Sequence, residues 1–178
     1  MSDKASDEEI QVPFCDFHGK VKEDWLDFNG HMNVAYYTRA VDDATDLWWT
    51  RIGVGPEYVK AHGRSVFAVE SHVVYKRELR LDDPIHVTVR LLGYDEKRIH
   101  LFFELYKSGP DTSGPEYLSA TQELMAVHVD MTKRAAVPFP KEVLGRLEKI
   151  LEAHSKLPIP DAVGRRIALK GKRAHGEG

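Results

Sequence analysis

Between Asp27 and Asn33 the chain sets a carboxylate, two carboxamides, an imidazole and a glycine within seven residues, Asp27-Phe28-Asn29-Gly30-His31-Met32-Asn33. A carboxylate can attack an electrophilic carbon or take a proton from water. An imidazole can pass a proton near neutral pH, and carboxamides can hold either partner in place. Val34, Tyr37, Val41, Ala44, Trp48 and Ile52 then recur on one face of a 3.6-residue period, with Arg39, Asp43, Asp46 and Thr50 on the other. Asn33 suits an N-cap and Gly30 a turn, so the pattern predicts loop, cap and a long amphipathic helix. The free N–H groups at the start of that helix, at the positive end of its dipole, can hold an anion or polarise a carbonyl. A plainer reading also fits, with Asp27 and Asn29 bonded only to nearby backbone in an Asx turn. A cap, however, needs fewer functional groups than these.

Such a loop needs a scaffold. The chain has 178 residues, enough for one domain with a proper core and too few for two ordinary ones. Hydrophobic residues at 42% point to a folded globule, and the net charge of -3 gives no general reason to expect nucleic acid. The lone Cys15 rules out an intramolecular disulfide and fits a reducing compartment. Residues 1–13 are acidic and polar, unlike a signal peptide, and no run has the length of a membrane span. The expectation is a cytoplasmic protein with no membrane association.

Phe14 to Asp27 reads as a short strand running into the loop. The helix should end near Gly53-Val54-Gly55-Pro56, and Glu57 to His62 can add a helical turn. From Arg64 the period becomes two. Ser65–Glu78, Ile85–Leu91, Ile99–Tyr106 and Tyr117–Asp130 read as four strands, antiparallel because their links are short. A second amphipathic helix spans Lys141 to His154, with Val143, Leu147 and Ile150 on one face. The expected fold class is therefore α+β. A flexible segment (1–13) precedes one domain (14–155), and a basic tail (156–178) follows. One sheet on one helix leaves a strand edge to cover, which favours a homodimer or a dimer of dimers.

The order of strand, D-x-N-G-H-x-N loop, central helix and four strands resembles the hot-dog fold of acyl-CoA and acyl-carrier-protein thioesterases. In that fold an antiparallel sheet wraps a long central helix, to which this chain would add its C-terminal helix. Asp27–Tyr37, Ser65–Glu78 and Ala120–Met125 are most similar to the betainyl-CoA thioesterases of carnitine degradation. The resemblance implies hydrolysis of an acyl-CoA thioester, betainyl-CoA favoured, without cofactor. Alternatives are an acyl-carrier-protein thioesterase and a non-catalytic acyl-CoA-binding module.

Asp27 matches the family's nucleophile or general base, and Val34 the residue whose N–H polarises the thioester carbonyl. Asn29 and His31 match the amide and imidazole of the plant carrier-protein enzymes, and Tyr75-Lys76-Arg77-Glu78 resembles their Y-R-R-E segment. Their cysteine is Leu79 here. Glu78 is thus a further catalytic candidate, and its charges Lys76 and Arg77, with Lys97 and Arg98 at a hairpin turn, are candidates for coenzyme A phosphates. Asn33 and Tyr36, which border the loop, are candidates for substrate binding. A quaternary ammonium acyl group could meet Glu70 together with Trp48, Trp49 or Tyr36, although these aromatics can equally fill the core. Nine histidines are scattered without a C-x-x-C or H-E-x-x-H pattern, so no metal is expected.

Overall fold

The computed structural model describes residues 10–109 and 115–169. Strand β1 (Phe14–Lys20) leads through a 3-10 turn at Glu23–Trp25 to helix α1 (Val34–Ile52) and the short α2 (Pro56–His62). Strands β2 (Arg64–Tyr75), β3 (Pro84–Tyr94), β4 (Arg98–Ser108), β5 (Pro115–Asp130) and the two-residue β6 (Ala135–Ala136) follow, then α3 (Lys141–His154). Every pairing is antiparallel, in the order β1-β3-β4-β5-β2, with β6 on β5. This is the expected α+β hot-dog arrangement, with α1 lying against β1, β3, β4 and β5.

Helix α1 begins where Asn33 accepts the Ala35 N–H at 3.0 Å, and ends at Gly53 with φ 85°, a left-handed cap that favours glycine. Arg146 of α3 donates to the Ile52 carbonyl at 3.0 Å, a cation at the negative end of the helix. Its buried face is Tyr37, Ala40, Val41, Ala44, Thr45, Trp48 and Ile52. Thr45 is tolerated there because its hydroxyl returns to Val41 O at 2.7 Å. One residue departs from the expected stripe. Val34 is 57% exposed, because it opens the helix beyond the rim of the sheet.

Two strand boundaries also differ. β1 stops at Lys20, and a 3-10 turn with buried Trp25 replaces the extended run to Asp27. β2 stops at Tyr75 rather than Glu78, because the Lys76 and Arg77 N–H groups converge on one carbonyl, Ser119 O, at 2.9 and 3.1 Å. The ladder cannot continue past that pinch. The chain turns off the sheet there, carrying Glu78 towards the head of α1. Helix α3 covers β3 with Val143, Leu147 and Ile150. Its last residue, His154, is fully buried: its Nδ1 accepts the Leu91 N–H at 3.0 Å and its Nε2 donates to Gln11 O at 3.2 Å.

The chain beyond α3 stays attached to the sheet. Arg90 donates to Leu157 O at 2.7 Å, and Gly164 N–H donates to Glu123, which also meets His100 at 2.7 Å. Most of the N-terminal segment, residues 1–9, and the tail from Lys170 lie outside the described residues.

Candidate active site

The Asp27 loop is clamped from two sides. Asn33 N–H donates to Trp25 O at 2.9 Å, and Met32 N–H to Leu79 O at 2.8 Å, so the loop is held by the 3-10 turn and by the chain leaving β2. Within it, Asp27 N–H donates to His31 O at 2.9 Å and Gly30 N–H to Asp27 O at 3.0 Å. Gly30 sits at φ 75°, which a side chain would strain.

Asp27 is partly covered as a residue, with its carboxylate open to solvent. Its Oδ1 accepts from Asn29 N–H at 2.8 Å and His31 N–H at 3.4 Å, whereas Oδ2 has only the long 3.5 Å contact with the Asn29 carboxamide. The Asx-turn reading is therefore correct for one oxygen, and the other is left available. The Asn29 backbone N–H, before any other partner, holds the carboxyl below the usual aspartate range, so it is ionised at neutral pH.

Val34, first in the helix, has no hydrogen-bond partner for its N–H among the described residues. Its carbonyl accepts the Tyr75 hydroxyl at 3.3 Å, which ties the end of β2 to the head of α1. Across the loop His31 Nε2 lies 3.5 Å from Glu78 Oε1, and Glu78 also receives Arg80 at 2.8 Å. Arg80 first, then His31, keep the Glu78 carboxyl below its ordinary value. Glu78, far along the chain, thus joins the loop residues at the head of α1, giving an ionised carboxylate, a free helix N–H, and an imidazole beside an acid. Such a set can activate or replace water at a carbonyl carbon and stabilise the oxygen that becomes negative.

The model of the thioesterase-like superfamily matches residues 21–147. The chain belongs to that family. A betainyl-CoA thioesterase of Pseudomonas aeruginosa is 38% identical over 149 residues, 84% of this chain and 91% of that protein. An L-carnitine dehydrogenase/betainyl-CoA thioesterase of Rhizobium meliloti is 38% identical over 85% of this chain, which spans only 29% of that longer protein. A Staphylococcus aureus protein solved in complex with CoA superposes with a TM-score of 0.80 at 25% identity, over 90% of this chain and 98% of the other.

In this thioesterase-family chain a groove of about 520 Å³ opens beside Glu78, lined by Lys76, Arg77, Arg80, Lys107 and Tyr117 among others. Lys107 is taken up by Asp83 and Glu116, and Arg80 by Glu78. Lys76 and Arg77 make no salt bridge among the described residues, and Arg77 lies 3.8 Å above the Tyr117 ring. The expected phosphate contacts divide here. Lys97 and Arg98 stand at the opposite end of the eleven-residue β4 from Lys107, on the order of 30 Å away. Arg98 is moreover engaged by Asp95 at 2.6 Å.

The remaining candidates are also dispersed. Asn33 caps α1, and Tyr36 stacks on Trp25 at 5.4 Å, both beside the loop. Trp48 is buried against Phe14, 5.3 Å between rings, as a core residue. Glu70 is exposed on the edge strand β2. Arg80, Lys107 and Tyr117 do not stand out in the sequence, and Tyr75 does so only as the first residue of the Y-R-R-E-like segment. Of the first three only Arg80, in the polar run after Tyr75, carried a local signal. Among the described residues no group of His, Cys, Asp and Glu could hold a metal ion, and no helix is long and apolar enough to cross a membrane.

Proposed function

We propose that this chain hydrolyses an acyl-CoA thioester to the free acid and coenzyme A, with betainyl-CoA the favoured substrate. One observation carries the reading: the same short loop presents the free oxygen of an ionised Asp27 and delivers the unpartnered Val34 N–H. The thioester oxygen would sit at Val34 N–H, where helix dipole and hydrogen bond both favour developing negative charge. Asp27 Oδ2 then bonds to the acyl carbon, the C–S bond breaks, and water cleaves the resulting anhydride. In the other route Asp27 takes a proton from water as that water adds. In either route His31, held by Glu78, gives a proton to the departing thiolate. Lys76 and Arg77 supply the unpaired charges for the coenzyme A phosphates.

The betainyl preference rests on the two relatives named above, and the coenzyme on the CoA-bound neighbour. A homodimer, alone or paired again, would cover the β2 edge, where Phe67 and Val69 are 50% and 59% exposed. Phe28, 98% exposed at the loop tip, would also be covered if that interface reaches the site. A lone thiol suits a cytoplasmic location.

The test is thiol release from betainyl, short straight-chain, branched and aromatic acyl-CoAs. Fastest turnover of the betainyl ester is expected. Binding without thiol release from any of them would mean a non-catalytic module, and faster cleavage of carrier-protein thioesters would move the substrate class.

A further inference from the structure

Apart from the groove beside Glu78, an open cavity of about 370 Å³ lies between α1, α2 and strands β2 and β5, with Asp42 and Asp46 exposed along it. It follows one stripe of α1, Thr38, Asp42 and Asp46, and Trp49 also lines it. Thr38 lies one turn, about 6 Å along the axis, from Val34, and helix side chains lean towards the N-terminus. The cavity therefore starts within reach of an acyl group whose carbonyl is held at the Val34 N–H.

Its chemistry is one-sided. Asp42 and Asp46 make no salt bridge among the described residues, whereas the adjacent Asp43 is taken by Arg39 at 2.8 Å. Among the described residues no Lys, Arg or His lines the wall. On the opposite side Gln122 of β5 is 5% exposed, and its Oε1 has no hydrogen-bond partner among the described residues. A buried carbonyl oxygen left in that state is costly unless a positive group comes to it. Val41, Val54, Val66 and Leu124 give the lining its apolar part, and Thr45, Ser65 and Ser71 add neutral hydroxyls. Burial, with Asp42 and Asp43 adding to it, raises the Asp46 carboxyl above its ordinary value, a repulsion that a cation in the cavity would relieve.

We infer that this cavity is a specificity pocket for acyl groups bearing a fixed alkylated ammonium, with Asp42, Asp46, Trp49 and Gln122 as the residues that read the charge. Carboxylates and an indole face attract the cation, the amide oxygen faces its polarised methyls, and the valines pack against them. A hydrocarbon acyl group would desolvate the carboxylates without compensation, and an anionic one would be repelled. Bare ammonium suits the apolar wall less well. A cation two bonds from the carbonyl enters at the Thr38–Asp42 end, and a longer chain extends to Asp46 and Trp49. Glu70, the acid expected from sequence for this role, does not line the cavity.

This inference rests on the thioesterase reading, and the experiment separates the two. The full chain is assayed with betainyl-CoA and with 3,3-dimethylbutyryl-CoA, which replaces the ammonium nitrogen by carbon at the same shape. The expected kcat/KM ratio is at least tenfold in favour of the cation, collapsing towards one in a D42N/D46N variant. Circular dichroism checks that the variants fold. Equal kcat/KM for the two esters, or a ratio preserved in D42N/D46N, overturns the pocket and leaves the hydrolase standing. If neither ester is cleaved, the betainyl hydrolase reading fails. Calorimetric binding of the two matching thioether analogues, with a methylene between sulfur and carbonyl, then decides the pocket: at least tenfold tighter binding of the cation upholds it, and equal affinity removes it.

Discussion

Replacing Asp27 by asparagine separates the chemistry of this loop from its architecture. Oδ1 accepts the Asn29 and His31 N–H groups, and an asparagine oxygen can accept both, so the turn and the clamps at Trp25 O and Leu79 O should persist. What is lost is Oδ2, whose one hydrogen-bond contact among the described residues is that with Asn29 at 3.5 Å. A positioned carboxylate acting on a proton or carbon contributes on the order of 10²–10⁴ in rate, so kcat should fall by that factor while KM changes little. Protonation of Asp27 should cost the parent enzyme activity on the acid side. Its N–H donors place the Asp27 pKa below the ordinary value, so the carboxylate is complete at neutral pH and protonates in a lower window. That acid limb should vanish in Asp27→Asn. Steady-state thiol release across pH, with thermal melting to confirm the fold, measures all of this. Turnover by a folded Asp27→Asn at the parent rate would remove the carboxylate from the mechanism.

Three further outcomes follow from other parts of the fold. Asn33→Ala deletes the α1 cap bond to Ala35 N–H and should cost about 1 kcal/mol in urea unfolding. It should also lower kcat by freeing the Val34 amide; an unchanged kcat would detach the helix head from the reaction. Lys76→Ala combined with Arg77→Ala should raise KM for a CoA thioester roughly 10- to 100-fold relative to its N-acetylcysteamine counterpart, which lacks phosphates. The parent preference should weaken with salt, and an unaltered KM ratio would place the phosphates elsewhere. Finally, burial lowers the pKa of His154, His128 and His86 below the ordinary histidine value. The unfolded chain then binds protons first as pH falls, so the stabilisation is whole above about pH 6.5 and declines below it, by at most about 1.4 kcal/mol per pH unit for each histidine. A melting temperature flat from pH 7.5 to 5 would contradict that burial.

Period and punctuation made most of the scaffold legible. The alternation of Ile85–Leu91 and Ile99–Tyr106 reappears as β3 and β4, and the Gly53 stop and the 3.6-residue stripe of α1 also hold. Asp27, Asn29 and His31 were readable because a turn brings together residues already adjacent. Long-range placement was not legible. Whether Lys97 or Lys107 lies beside Glu78 depends on which end of β4 faces the loop, and alternation is the same in both directions. Similarly, Trp48 and Trp49 are neighbours in sequence, but one closes the core and the other lines a cavity, a 100° difference around the helix axis.

The precision of the site follows from that long-range packing. The loop's own bonds fix the shape of Asp27 to His31, but they do not fix where the turn points. Orientation comes from Trp25 O and Leu79 O, and both residues are buried, Leu79 completely. Leu79 reaches the core only because the pinch at Ser119 O turns the chain out of β2, and the same turn brings Glu78 to His31. The register of β5 against β2, which pairs Ala120 with Tyr75, therefore sets the relation between carboxylate, imidazole and helix head. A one-residue slip of that register would present the other face of the strand and dismantle the cluster without altering any of its residues. Catalytic geometry here is a property of strand pairing as much as of the D-x-N-G-H-x-N loop.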